Sequence, residues 1–183
     1  MPRPDDAEQP PVSRLEIADQ LLTVMPDKPG IVHDSTSDPV YSPHWDRITL
    51  PHLSQFESAE EYYATLFHEL SHSTGHAKRL DRFRSVEGDR FARYSFEELV
   101  AEFGAAFLCG FAGIQNPDTA ALQASYIEGW ARVFRQDNRI LIRAASAAQR
   151  AADYIRGKLP LKDTPEDTIN TAHTALSTAD LTP

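Results

Sequence analysis

Apolar residues recur along the chain with two different periods. Leu15, Ala18, Leu21, Leu22 and Met25 fall on one face of a helix that starts behind Ser13 as N-cap and stops at Pro26 and "DKPG". Three short pieces follow, "GIVHD", "PVYSP" and "DRITLP", whose β-branched content and turn-forming spacers predict a small antiparallel sheet. From Ser58 the helical period returns: Tyr62, Leu66, Phe67 and Leu70 share a face, Ser58 and Glu61 have capping-box spacing, and Gly75 stands at the expected C′ position. A polar, basic loop is expected from His76 to about Tyr94. A second capped helix is expected from Ser95, with Glu98 completing the box. Leu99, Phe103, Ala106, Phe107 and Phe111 line it, and Gly113 closes it. Two more helices are expected, over 118–135 and 138–156, the last with Ile140, Leu141, Ala144, Ala148, Ala151 and Ile155 inward. The pattern predicts an α+β fold, with a small sheet in the N-terminal half and mainly helices after it.

Composition sets the limits of this domain. Residues 1–12 hold four of the thirteen prolines and read as a disordered lead-in, 13–157 as one domain, and 158–183 as a mobile Thr/Asp/Ala-rich tail. The net charge of −9, from 18 basic and 27 acidic side chains, argues against a general phosphate-binding surface. A local basic stretch, Lys78 to Arg93, is expected to be a solvated loop. Cys109 is the only cysteine, so no intrachain disulfide is possible, and it sits in an apolar run as a small core residue. The N-terminus lacks the apolar run of a signal peptide, and no stretch approaches the roughly 20 apolar residues of a membrane helix. The expectation is a soluble, cytoplasmic protein with no membrane partner.

The chemistry is concentrated in "HELSH". His68 and His72 are four apart, so on a helix both imidazoles leave the same face, and Glu69 lies beside them, placed to act as a base. Imidazole suits zinc, and two histidines leave its coordination incomplete. His76 does not fit as the third ligand. It follows Gly75 directly, and Lys78 stands where three-histidine sites place their last histidine. The second helix offers Glu98 and Glu102, four apart on a face with Ala101 and Ala105, where acids are costly without a positive partner. Glu98 is assigned as third ligand, with Glu97 as the alternative. Glu102 is assigned the role of accepting the free N–H of a zinc-bound histidine.

Three blocks, "FESAEEYYATLFHELSHSTGHAKRLDR", "SFEELVAEFGAAFLCGFAGI" and "ASYIEGWARVFRQDNRILIRAASAAQRAADYI", resemble the metallopeptidase domain of ArdC-type antirestriction proteins. A more distant likeness is to ImmA/IrrE-type regulatory peptidases. The resemblance implies a zincin-like fold and a gluzincin-like zinc site on His68, His72 and a glutamate of the second block. Proteins of this type usually carry a preceding single-stranded-DNA-binding domain. This chain is expected to lack one, so that the family's DNA-protecting activity does not transfer.

The expected function is a zinc-dependent peptidase acting on a protein or peptide, with Glu69 as the proton carrier. An oxyanion donor is also required, and the sequence offers His76, Tyr63, Tyr126 and Arg143 without choosing among them. Two other readings stay open. One is a catalytically silent module stabilised by zinc; the other is an accessory to single-stranded-DNA transactions using the Lys78 to Arg93 stretch.

Overall fold

The structure is a computed structural model that describes residues 14–85, 90–114 and 138–158. Ser13, the helix expected over 118–135, most of the lead-in and tail, and Tyr126 lie outside the described residues. Helix α1 (Arg14–Val24) is followed by strands β1 (Gly30–His33), β2 (Val40–Ser42) and β3 (Arg47–Leu50), and then by a single 3-10 turn at Leu53–Gln55. Four helices complete the described chain: α2 (Ala59–Ser73), the short α3 (Arg82–Ser85), α4 (Arg90–Ala112) and α5 (Asn138–Ile155).

The sheet is mixed, not antiparallel as its sequence suggested. Its order is β1-β3-β2, with β2 antiparallel to β3 and β1 parallel to it, Ile31 opposite Ile48. The reason is burial. Ile48 and Leu50 are fully buried, whereas β1 is largely exposed, so the most apolar strand takes the centre and β1 pairs on its free side. The β2–β3 hairpin turns at Asp46, which has a positive φ of 47°.

Helix α2 begins as expected: Ser58 caps it, its hydroxyl accepting from the Glu61 N–H at 3.1 Å. The Glu61 carboxylate reaches one residue further back, to the Glu57 N–H at 2.8 Å. Tyr62, Leu66, Phe67 and Leu70 are all in the main core with Ala18, Leu21, Ile48 and Leu50. Gly75 follows the helix, and packing is what requires a glycine there: a β-carbon at 75 would come within 2.4 Å of the Phe83 ring.

Helix α4 departs from expectation at its start and on its face. It begins at Arg90, so Ser95 is an interior residue, buried and without a hydrogen-bond partner among the described residues, and caps nothing. Arg90, Ala92, Arg93 and Tyr94 carry no breaker, and burial of the following face extends the helix back through them. Its inward residues are Leu99, Val100, Ala101, Ala105, Leu108 and Ala112, while Phe107 and Phe111 stand 39 % and 48 % exposed. The small residues face inward because α4 lies against α2 at close range: a β-carbon on Gly104 would sit 2.4 Å from the Ser71 hydroxyl. On its other side α4 meets α5, whose Ala144, Ala147 and Ala148 close a second apolar cluster with Leu99 and Val100.

The basic stretch is not a solvated loop throughout. Arg79 is completely buried, donating to Ser73 O at 2.6 Å, Asp27 O at 2.7 Å and the Tyr41 hydroxyl at 3.0 Å, and pairing with Asp46. It ties the end of α2 to the hairpin. Arg82 is buried too, while Lys78 and Arg84 remain 66 % and 80 % exposed.

Candidate metal centre

The close α2–α4 approach brings His68, His72 and Glu98 together, with one ligand atom from each lying within 4.8 Å of the others. The helical phase of "HELSH" points both rings at α4, and their Nε2 atoms stand 3.1 Å apart. Glu98 reaches across to both, at 3.7 Å from each Nε2.

Each ring is held from behind by a different acid. His68 Nδ1 faces Glu102 at 3.5 Å, and His72 Nδ1 faces Glu97 at 3.3 Å. A proton on each Nδ1 satisfies those carboxylates and turns both Nε2 lone pairs, with the Glu98 oxygens, toward one point. Lone pairs converging in this way repel unless a cation lies among them. The charge balance agrees, because among the described residues Glu69, Glu97, Glu98 and Glu102 gather here against one buried arginine, Arg82. The donor set therefore fits a divalent ion with nitrogen and oxygen ligands.

Electrostatics separate the two supporting acids. Burial works against ionising Glu97, but the Arg82 fork, at 2.9 and 2.6 Å, and the His72 ring outweigh it and hold the carboxyl below its ordinary range. Arg82 is fixed in turn by Thr74 Oγ1 at 3.0 Å and Ser71 O at 3.1 Å. Glu102 has no such cation, and burial leaves it above its ordinary value despite the nearby His68. Glu98 is also drawn down, the imidazoles and the Tyr94 hydroxyl together exceeding the opposing effect of burial. Burial disfavours a charged His68, yet Glu98, Glu102 and Glu69 around it raise its pKa.

Glu69 is buried on α2 beside His68, and among the described residues no hydrogen-bond donor is given to its carboxylate. Among the described residues, the expected oxyanion donors Tyr63, His76 and Arg143 make their contacts elsewhere. The Tyr63 hydroxyl donates to Asp19 of α1, and His76 Nδ1 accepts from the Lys78 N–H at 3.2 Å, within the turn after α2. Arg143 lies over the Phe96 ring, 5.8 Å from its centroid. The hydroxyl that does reach the cluster is that of Tyr94, one turn before Glu98 on α4 and 62 % exposed. Glu97, the alternative third ligand, faces His72 Nδ1 and pairs with Arg82. Sequence reasoning missed Tyr94 and Arg82; the four-residue spacing of Tyr94 and Glu98 was the available signal.

Two helices presenting two histidines and a glutamate to one point, beside a small sheet, define a zincin-like domain. Residues 19–147 match the family model for zincin-like metallopeptidases, and the chain belongs to that family. It is 38 % identical over 130 residues to a DNA primase TraC of Escherichia coli, covering 68 % of this chain and 8 % of that protein. It is 33 % identical over 155 residues to the protein y4eC of Sinorhizobium fredii, covering 81 % of this chain and 47 % of that one. Among solved structures it is similar to the antirestriction protein ArdC of plasmid R388. The Mn(II)-bound form superposes with a TM-score of 0.64 at 35 % identity, over 89 % of this chain and 59 % of that one. The chain thus spans about half the length of y4eC and ArdC and a small part of TraC. No helix among the described residues is long and apolar enough to cross a membrane.

Proposed function

We propose that the chain is a zinc-dependent peptidase domain that hydrolyses peptide bonds of a protein substrate. The observation that carries this reading is the pairing of a three-donor cluster with Glu69, a buried carboxylate beside it to which no described residue donates. A site that only stiffens the fold has no use for a fourth, uncommitted acid. His68, His72 and Glu98 would hold the zinc, which when bound polarises a carbonyl and acidifies water. Glu69 takes the proton of the attacking water and returns it to the leaving amine. Glu97 and Glu102 keep both rings in the Nδ1–H tautomer and fix their direction. Tyr94, exposed beside Glu98, donates to the developing oxyanion.

The Mn(II) in the ArdC structure makes metal identity part of the test. Metal analysis of the isolated protein is expected to give one zinc per chain, largely lost in Glu98→Ala. Glu69→Ala is expected to keep the metal and lose about 10²- to 10⁴-fold in cleavage of a denatured-protein or peptide-library substrate. Undiminished cleavage by Glu69→Ala would remove it from the mechanism. A fully zinc-loaded wild type that cuts nothing in a broad library would instead support the silent, metal-stabilised module. A second reading, an accessory to single-stranded-DNA transactions, is favoured by the names of the similar proteins, a DNA primase and an antirestriction protein.

A further inference from the structure

On the side of Arg82 away from "HELSH", α4 and α5 enclose a second feature that the peptidase reading does not use. It is a groove of about 260 Å³ lined by Arg82, Phe96, Ile142, Arg143, Ser146, Ala147 and Arg150. In a chain of net charge −9, three arginines and a hydroxyl line it, and no acid does so among the described residues.

We propose that this groove is a phosphate-binding site, taking either a free phosphate ion or a phosphodiester of a nucleic-acid strand. Arg143, Ser146 and Arg150 are spaced i, i+3 and i+7 on α5, so they share one face, and all three line the same groove. Arg139 extends the same stripe by one turn, and the first acid of α5, Asp153, comes after Arg150. Arg143 is already placed, its guanidinium lying over the Phe96 ring. Arg150 makes no hydrogen bond or ion pair among the described residues, so its guanidinium is available to a ligand. Arg82 closes the inner end of the groove, with its charge balanced by Glu97 and its donors largely committed to Glu97, Thr74 and Ser71, so the free positive charge comes from Arg143 and Arg150. Inorganic phosphate offers four oxygens to two guanidinium forks and the Ser146 hydroxyl, and a phosphodiester offers two charged non-bridging oxygens that can each accept from more than one of these donors. Exposed Ile142, at 69 %, beside Phe96 adds an apolar rim on which a base can rest if the phosphate belongs to a strand.

The proposal does not depend on peptidase activity and is tested by binding. The full-length, metal-loaded protein is titrated into a fluorescent oligothymidylate over a range of salt, with inorganic phosphate as competitor and, separately, as titrant in calorimetry. Binding is expected, weakened at least about tenfold in Arg143→Gln/Arg150→Gln. Loss of two phosphate contacts is expected to flatten the log–log salt slope by about 1.4. Arg84→Gln, outside the groove, is expected to bind as wild type. Displacement of the oligonucleotide by millimolar phosphate would assign the site to the free ion; resistance to it would assign the strand. Unchanged helical circular dichroism and metal content verify that the double variant folds, and Arg143→Lys/Arg150→Lys, which keeps charge without the fork, is expected to fall between. Equal binding by wild type and the double glutamine variant overturns the proposal, as does a wild type that binds neither probe.

Discussion

Arg79 and Arg82 lie in one short segment after α2, both with buried side chains, and each pairs with a different acid. Arg79 meets Asp46 in the hairpin turn and joins four pieces of chain: the end of α2, the α1–β1 connection, β2 and the turn itself. Arg82 meets Glu97 on α4, and through it His72. The first is a joint of the fold and the second stands behind the candidate metal centre. Nothing in either residue's type or sequence neighbourhood separates these roles. What separates them is the acid each one finds, and those acids lie 33 and 15 residues away.

Breaking the first joint is expected to have the largest effect. Arg79→Ala leaves half-buried Asp46 with only the Tyr41 hydroxyl and exposed Lys78, strips the donor from Ser73 O and Asp27 O, and should cost about 3 kcal/mol of stability, read as a fall in the urea midpoint. Metal bound per folded molecule should stay the same. A variant that loses metal while keeping its midpoint would erase the distinction between the two arginines.

The second joint is expected to show the reverse. Glu97→Gln keeps the shape but weakens the hold on His72 Nδ1, and should lower metal affinity about 10- to 100-fold in competition with a chelating dye. Equal affinity for wild type and variant would mean that His72 is directed without Glu97.

The smallest effect sharpens the comparison by pH. Burial opposes the ionised Asp46, but Arg79, Tyr41 and Lys78 outweigh it and bring its pKa from 3.8 to about 2. The folded value is depressed, so this contribution is complete above the unfolded value and is lost as pH falls through the folded one. Urea midpoints measured from about pH 5 to pH 2 should therefore fall more steeply for wild type than for Asp46→Asn. Parallel curves would show that the pair adds nothing to acid stability.

The parts legible in the sequence are those where spacing alone sets direction. His68 and His72 share a helix face by phase, and Glu98 and Glu102 stand out as acids on a face of small residues. Tyr94 was hidden by Ser95, which has the spacing of a cap but lies inside α4. Arg82 was hidden because a run of basic residues looks solvated until its partner folds against it. Phe107 and Phe111 were misplaced because their helical spacing put them on one apolar stripe with Leu99 and Phe103, whereas close helix packing selects Ala101, Gly104 and Ala105. Strand direction was not legible, since alternation marks which residues face inward but not which neighbour a strand chooses.

Helix α4 carries two interior glycines that look alike on paper. A β-carbon at Gly110 meets nothing within 4 Å, whereas one at Gly104 runs into Ser71 between the helix of the histidines and the helix of the glutamates. Every other amino acid brings that carbon. Position 104 therefore has no conservative replacement: even Gly104→Ala forces Ser71 or the spacing of the two helices to give way, while Gly110→Ala meets nothing.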